Sequence, residues 1–200
     1  MIAGLPYKTF ITGTDTDVGK TYVICEILKR LNASRPTAEA IKPLVSGGYS
    51  DVELLHKYSA HKLKLSERYL HYYEPAIAPH IAAKINGTNI DFAAVVDFMK
   101  NCEIDIDHIL IEGFGGWMAP ISDSVSMSCC VAEAGLPVVL VVGMKLGCIN
   151  HSLLTVEAIK TSGCEFLGWI ANVMPPSMPY YKENISTITN CIGEPLATVF

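Results

Sequence analysis

The chain has 200 residues, half of them apolar and 18% charged, with a net charge of −5 at neutral pH. That composition excludes an intrinsically disordered chain, and it speaks against a nucleic-acid partner, because gripping a phosphate backbone calls for a basic face and no Lys/Arg-rich run supplies one. The longest apolar stretch, residues 136–144, falls short of the ~20 residues of a bilayer span, and no basic segment followed by an apolar one opens the chain, so a cytoplasmic protein with no membrane partner is expected.

From the N-terminus, residues 8–12 read as a short buried strand, followed by a glycine-bearing loop. Lys20–Leu31 then reads as an amphipathic helix with Val23, Ile24, Ile27, Leu28 and Leu31 on one face. Residues 38–42 form a second strand, with loops at 47–50 and later at 174–179. Residues 91–100 read as a helix capped by Asn89 or Asp91. His108–Glu112, Val138–Gly143 and Phe166–Asn172 are further apolar strands. Residues 150–161 form a helix whose apolar stripe is Leu153, Leu154, Val156 and Ile159.

Strands that are apolar throughout and alternate with helices predict an α/β fold, a parallel sheet of the P-loop NTPase type with helices on both faces. No linker, repeat or composition break divides the chain, so residues 1–200 read as one domain. Ligands of such sheets sit beyond the carboxyl ends of the strands. The seven cysteines, none in a Cys-x-x-Cys pair, read as reduced and mostly buried thiols, and the six scattered histidines suggest no zinc site.

Gly13-Thr14-Asp15-Thr16-Asp17-Val18-Gly19-Lys20-Thr21 matches G-x-x-x-x-G-K-[ST] and stands directly between a strand and a helix. Such a loop wraps its backbone N–H groups around phosphate oxygens, and the helix N-terminus behind it adds positive potential. Lys20 is placed to reach the β- and γ-phosphates of ATP, and the Thr21 hydroxyl to hold Mg²⁺. Glu112, ending a buried strand before the open turn Gly113-Phe114-Gly115-Gly116, is the candidate acid for the metal; Asp17 and Asp51 are the other acids able to join it. The Asn-Lys-x-Asp of GTPases is absent. Thr14 and Asp15 stand where partitioning ATPases carry an extra lysine.

The P-loop, then Lys42-Pro43-Leu44-Val45-Ser46-Gly47, Glu112-Gly113-Phe114-Gly115-Gly116-Trp117, Lys145-Leu146-Gly147-Cys148-Ile149-Asn150-His151 and Gly168-Trp169-Ile170-Ala171-Asn172 follow in an order that closely resembles the dethiobiotin synthetase family. The resemblance implies a homodimeric, Mg²⁺-dependent ligase of biotin synthesis whose substrates are ATP, CO₂ and 7,8-diaminononanoate. One amine traps CO₂ as a carbamate, ATP phosphorylates it, and the second amine closes a cyclic urea. By the same resemblance Lys42 faces carbamate and γ-phosphate, with Lys20, Thr16 and Asp17 beside it. Thr21, Asp51 and Glu112 hold the metal.

The resemblance further places the nucleotide against Asp17, Val18, Gly19, Lys20, Thr21, Tyr22, Glu112, Gly113, Phe114 and Gly115, with Asn172 as the adenine contact. Ser46 touches substrate. Leu146, Gly147, Cys148 and Asn150 form the loop that meets the substrate carboxylate across the dimer interface, unless Asn150 only caps a helix. Two departures stand out. Phe114 replaces a small residue and crowds the substrate channel, and the chain stops at Phe200, where relatives continue along the adenine pocket; affinity held mainly by phosphates, with weak base discrimination, is the resulting expectation. The alternatives are a ligase of the cobyrinate or cobyrate synthase group, whose attached amidotransferase has no room here, and a non-catalytic nucleotide switch.

Overall fold

Side chains alternate across each strand, so a strand apolar at every position must be covered on both faces. The computed structural model, which describes residues 4–200, meets that demand with β1 (Lys8–Gly13), α1 (Lys20–Leu31), β2 (Ala38–Ile41), β3 (Leu44–Ser46), α2 (Ser50–Tyr58), a 3-10 turn at Leu65–Glu67, β4 (His71–Tyr73), α3 (Pro79–Ile85), α4 (Phe92–Lys100), β5 (His108–Glu112), α5 (Met127–Glu133), β6 (Val138–Gly143), α6 (Cys148–Thr161), β7 (Phe166–Asn172), α7 (Tyr181–Ile192) and β8 (Ala197–Val199). The main sheet runs β2-β5-β1-β6-β7-β8, every pair parallel. A second, two-stranded sheet pairs β3 with β4.

The sheet separates two cores. On one face Ile11, Leu110, Val139 and Ile170 pack with Val23, Ile24, Ile27 and Leu28 of α1 and Leu55 of α2. On the other, Phe10, Ile109, Ile111, Leu140 and Trp169 meet α3 to α7. Adjacent strand residues therefore serve opposite cores, and the expected parallel sheet with helices on both faces is what forms. Trp169 is fully buried, its Nε1 donating to the Gly193 carbonyl at 2.8 Å.

Several boundaries depart from the sequence reading. β1 runs one residue longer, to Gly13, and β2 ends at Ile41, which leaves Lys42 just past the strand. Ser50 opens α2 rather than closing a loop. Asp91 caps α4, its Oδ1 accepting from the Ala94 N–H at 2.9 Å, and Asn89 does not. α6 begins two residues early, with Gly147 at its N-cap (φ +91°); Asn150 lies inside the helix and is not its cap. The buried face of α6 is Cys148, Ser152, Val156 and Ile159, positions that share one side of the helix at its 3.6-residue period, while Leu154 falls on the other side and is exposed. All seven cysteines are free thiols, yet only Cys25, Cys130 and Cys148 are buried. Among the described residues no helix is long and apolar enough to cross a membrane.

Candidate active site

The carboxyl ends of β1, β2 and β5 open onto one cleft of about 990 Å³. β1, flanked by β5 and β6 in mid-sheet, delivers the P-loop to its floor. The loop is held from behind: the Thr14 N–H donates to the Val141 carbonyl at 3.1 Å, and the Asn172 amide donates to the Val18 carbonyl at 2.9 Å. Gly19 has φ +81°, and a Cβ there would stand 2.1 Å from Asn172 Nδ2, so only glycine fits between the loop and that side chain. Asp17 also takes a left-handed φ of +57°. Asp15 ties the loop at its outer side, accepting from the Thr16 N–H at 2.7 Å and pairing with Lys145 Nζ at 3.1 Å; those contacts hold its carboxyl below the ordinary range.

Two cleft residues, Thr21 and Lys42, converge on one carboxylate. Glu112, 1% exposed, accepts at Oε1 from the Thr21 hydroxyl at 2.8 Å and from Lys42 Nζ at 2.9 Å. The Lys42 ammonium also pairs closely with Asp51 of α2. Glu112 Oε2 is buried and has no partner among the described residues. Burial works against the charge on Lys42, but the Glu112 and Asp51 carboxylates outweigh it, and its pKa lies above the ordinary lysine value. Lys20 behaves oppositely. Burial prevails over the pull of Glu112, with the nearby Lys42 charge adding to it, and its pKa lies below the ordinary value. Lys20 Nζ donates to the carbonyls of Asp15 (3.1 Å) and Gly115 (2.6 Å), which joins the P-loop to the turn after β5.

Thr16, Asp17, Gly19, Lys20, Thr21, Tyr22, Lys42, Ser46, Asp51, Glu112, Phe114 and Gly115 all line this cleft. Tyr22 donates its hydroxyl to the Phe200 carbonyl at 2.6 Å. Asp51 and Lys42, separated by the β3 strand in sequence, meet because the small sheet turns α2 back over the end of β2. Lys20 and Lys42, with the P-loop backbone, can neutralise and align a transferring phosphoryl group, and Glu112, Asp51 and the Thr21 hydroxyl stand beside them in the same cleft.

Residues 8–199 match the family model described as an AAA domain. The ATP-dependent dethiobiotin synthetase BioD of Nitrosospira multiformis is 38% identical over 199 residues, covering 96% of this chain and 87% of that protein. The corresponding BioD of Vibrio cholerae is 38% identical over 194 residues, covering 93% and 84%. The chain belongs to the dethiobiotin synthetase family. Its fold is also that of the septum site-determining protein MinD of Pyrococcus horikoshii, crystallised with Mg-ADP (TM-score 0.56, 17% identity, 94% of this chain and 79% of that one). A ParA family ATPase of Chlorobium tepidum is equally similar (TM-score 0.56, 13% identity, 96% and 84%).

Not every residue singled out for a dethiobiotin synthetase comes to the cleft wall. Val18 is buried behind the loop and Gly113 packs on the Phe10 ring, so their side faces are closed and only their backbones remain available. Asn172 is 1% exposed and lies beneath the P-loop; its Oδ1 has no partner among the described residues. Leu146, Gly147, Cys148 and Asn150 stand apart from the cleft of their own chain, with Cys148 buried and Leu146 93% exposed. The wall formed by Ala76, Ile77, Ala78 and Pro79 was missed altogether. Its one sequence signal is Pro79 at the first turn of α3.

Proposed function

We propose that this chain is an ATP-dependent cyclo-ligase that converts 7,8-diaminononanoate and CO₂ to dethiobiotin, a late step of biotin biosynthesis. The observation that carries the reading is the placement of Lys42 between Glu112 and Asp51, beside the P-loop lysine Lys20. Relatives that bear the name ATP-dependent dethiobiotin synthetase across almost the whole chain support it.

In this reading the P-loop backbone, from Thr16 to Thr21, cradles the triphosphate, and Lys20 leaves its carbonyl partners for the β- and γ-phosphates. Lys42 holds its ammonium where the carbamate oxygen and the γ-phosphate approach one another. Two anions must come together there, and a buried cation that keeps its proton lowers the barrier by offsetting charge that grows in the transition state. Thr16 and Asp17 contact phosphate and diamine from the loop, and Ser46 fixes the reacting nitrogen end. The first amine attacks CO₂ and loses a proton, giving the carbamate. A carbamate oxygen then attacks the γ-phosphorus as ADP leaves, and the second amine attacks the resulting carbamic–phosphoric anhydride, closing the ring and expelling phosphate.

The donor set fits Mg²⁺. Thr21 Oγ1 and the carboxylates of Glu112 and Asp51 are hard oxygen ligands, and the unpartnered, buried Glu112 Oε2 awaits a cation. Thr21, Glu112 and Asp51 are the residues that would hold the ion beside the nucleotide phosphates; among the described residues no group of three or more His, Cys, Asp or Glu is gathered for a metal. When bound, Mg²⁺ supplies charge neutralisation at the β- and γ-phosphates.

Leu146–Asn150 belongs to the same reading as the loop of a second copy that meets the substrate carboxylate across a homodimer interface, in a cytoplasmic, single-domain enzyme. The deciding assay is ATP- and bicarbonate-dependent formation of dethiobiotin from diaminononanoate, with ADP release measured alongside. Dethiobiotin and ADP appearing in equal amounts support the reading, and ATP consumption with no ureido product overturns it.

A further inference from the structure

A buried ion pair outside the cleft has no part in the chemistry above. Arg68 and Glu39 are both fully buried, with Arg68 Nη1 2.6 Å from Glu39 Oε2. Glu39 lies within β2, the edge strand of the main sheet, and Arg68 directly follows the 3-10 turn at Leu65–Glu67. A buried ion pair is weak evidence for stability, since its desolvation cancels much of its attraction and well-packed apolar residues do as well. What this pair does achieve is a set of fixed distances.

The guanidinium reaches four further groups. Nη1 donates to the Ala40 carbonyl at 2.7 Å and to the Ser59 hydroxyl at 3.0 Å; Nη2 donates to the Leu63 carbonyl at 3.0 Å; Nε donates to His56 Nδ1 at 3.1 Å. Burial, and after it the Arg68 and His61 charges, lowers the His56 pKa below the ordinary value, the direction that suits Nδ1 as an acceptor. The Arg68 carbonyl, in turn, accepts from the backbone N–H of Lys42 at 2.8 Å. Arg68 thus holds β2 at Ala40 and the chain just past it at Lys42, two residues on, along the edge that no neighbour in the main sheet covers. Through His56 it also holds α2, the helix that carries Asp51.

We propose that Arg68, fixed by Glu39, is a positioning residue that sets the Lys42 backbone and the Asp51 helix in one register, so that the Lys42 ammonium stays between Asp51 and Glu112. The inference rests on the catalytic reading of Lys42 and goes one layer beneath it. A planar, five-donor guanidinium suits the task because it can bind two carbonyls, a hydroxyl and an imidazole at once, which an ammonium on a flexible stem cannot do with fixed angles. Displacement of a catalytic group by about 1 Å costs on the order of 10²-fold in rate.

The test is the double variant Glu39→Gln/Arg68→Met, which removes both charges and leaves no lone buried ion. Three quantities are read: kcat for dethiobiotin formation, the affinity for Mg-ADP, and the rate at which trinitrobenzenesulfonate modifies Lys42, followed by peptide mass spectrometry. The expected result is a kcat lowered at least tenfold, Mg-ADP affinity within twofold of the parent, and Lys42 modified several-fold faster as its ammonium escapes the two carboxylates. A kcat within twofold of the parent, with unchanged labelling, overturns the proposal. So does a parallel loss of kcat and Mg-ADP affinity, which marks a merely structural pair. Should the double variant fail to fold, His56→Gln decides: a threefold or greater fall in kcat at unchanged Mg-ADP affinity supports the positioning role, and an unchanged kcat removes it. If the parent protein makes no dethiobiotin, the proposed function fails by itself, while the Lys42 labelling rate still reads the register.

Discussion

Lys42 Nζ lies 2.9 Å from Glu112 Oε1, bridging the ends of two neighbouring strands with a charge pair in which the carboxylate is fully buried and the ammonium nearly so. A cation this little exposed is only weakly screened by solvent and acts strongly on an incoming phosphoryl group. Lys42→Ala is therefore expected to lower kcat roughly 10²–10³-fold, about 3–4 kcal/mol of transition-state stabilisation, and Lys20→Ala to do at least as much. Single-turnover rates at saturating Mg-ATP measure both. Near-normal turnover in a folded Lys42→Ala protein takes Lys42 out of the chemistry.

Gly19 faces Asn172 too closely for any side chain, at a φ of +81°. Gly19→Ala combines the left-handed strain of an L-residue with a clash against a buried amide. A stability loss of about 1–3 kcal/mol is expected, lowering Tm by roughly 2–12 °C in a protein of this size. Mg-ADP affinity should fall as well, because relief of the clash must move the P-loop or Asn172. Thermal melts with and without Mg-ADP follow both effects; an unaltered Tm shows that Asn172 swings aside freely.

Lys20 carries a pKa below the ordinary lysine value of 10.5, chiefly through burial, with Glu112, Asp51 and Asp15 pulling it up and Lys42 pushing it down. A lowered pKa leaves it neutral in an alkaline range where an ordinary lysine is still charged. Mg-ADP affinity is expected to stay level at neutral pH and to weaken as pH rises through that lowered pKa, before 10.5 is reached. Lys42→Met, which removes the neighbouring cation, should move the midpoint to higher pH. Calorimetric titrations across the alkaline range measure the shift, and an affinity that holds level through pH 10.5 contradicts the environment described for Lys20.

Leu146 presents 93% of its surface to solvent. Leu146→Asp is expected to shift the protein toward monomer in sedimentation velocity, and to lower turnover far more than Mg-ADP binding. Asn150→Ala should weaken diamine binding at least several-fold while leaving nucleotide affinity almost unchanged. A fully active monomer at working concentration defeats the shared-site reading.

Local pattern made much of this protein legible in one dimension. The strands His108–Glu112, Val138–Gly143 and Phe166–Asn172 and the helix Lys20–Leu31 read at their observed limits, because a run of buried residues or a single apolar helical face is itself the local signature of the packing. The P-loop was equally plain, since its glycines, lysine and threonine are all needed within nine consecutive positions, 13–21. Glu112 could be named from its place at a strand end, and Lys42 from the family resemblance of Lys42–Gly47.

Other elements left no such mark. The three-residue strands β3, β4 and β8 are too short to show a period, and they exist only because neighbouring strands supply their hydrogen bonds. The buried face of α6 was misread because apolar character alone does not reveal that Cys148 and Ser152 pack inward while Leu154 faces out. Arg68 sits in Lys62-Leu-Lys-Leu-Ser-Glu-Arg68, a charged stretch that reads as solvated surface, yet it is fully buried because Glu39, distant in sequence, neutralises it.

The sequence by itself thus determined the phosphate-binding loop, the strand and helix alternation and the family, all of which depend on residues close together along the chain. Only the tertiary structure decided that Thr21, Lys42, Asp51 and Glu112 meet at one point and that Arg68 braces the strand and helix beneath them. Those distances are set by the parallel order of β1, β5 and β2 and by the turn of α2 back over the sheet, and a contact between segments joined by long crossovers is encoded in packing rather than in any local pattern.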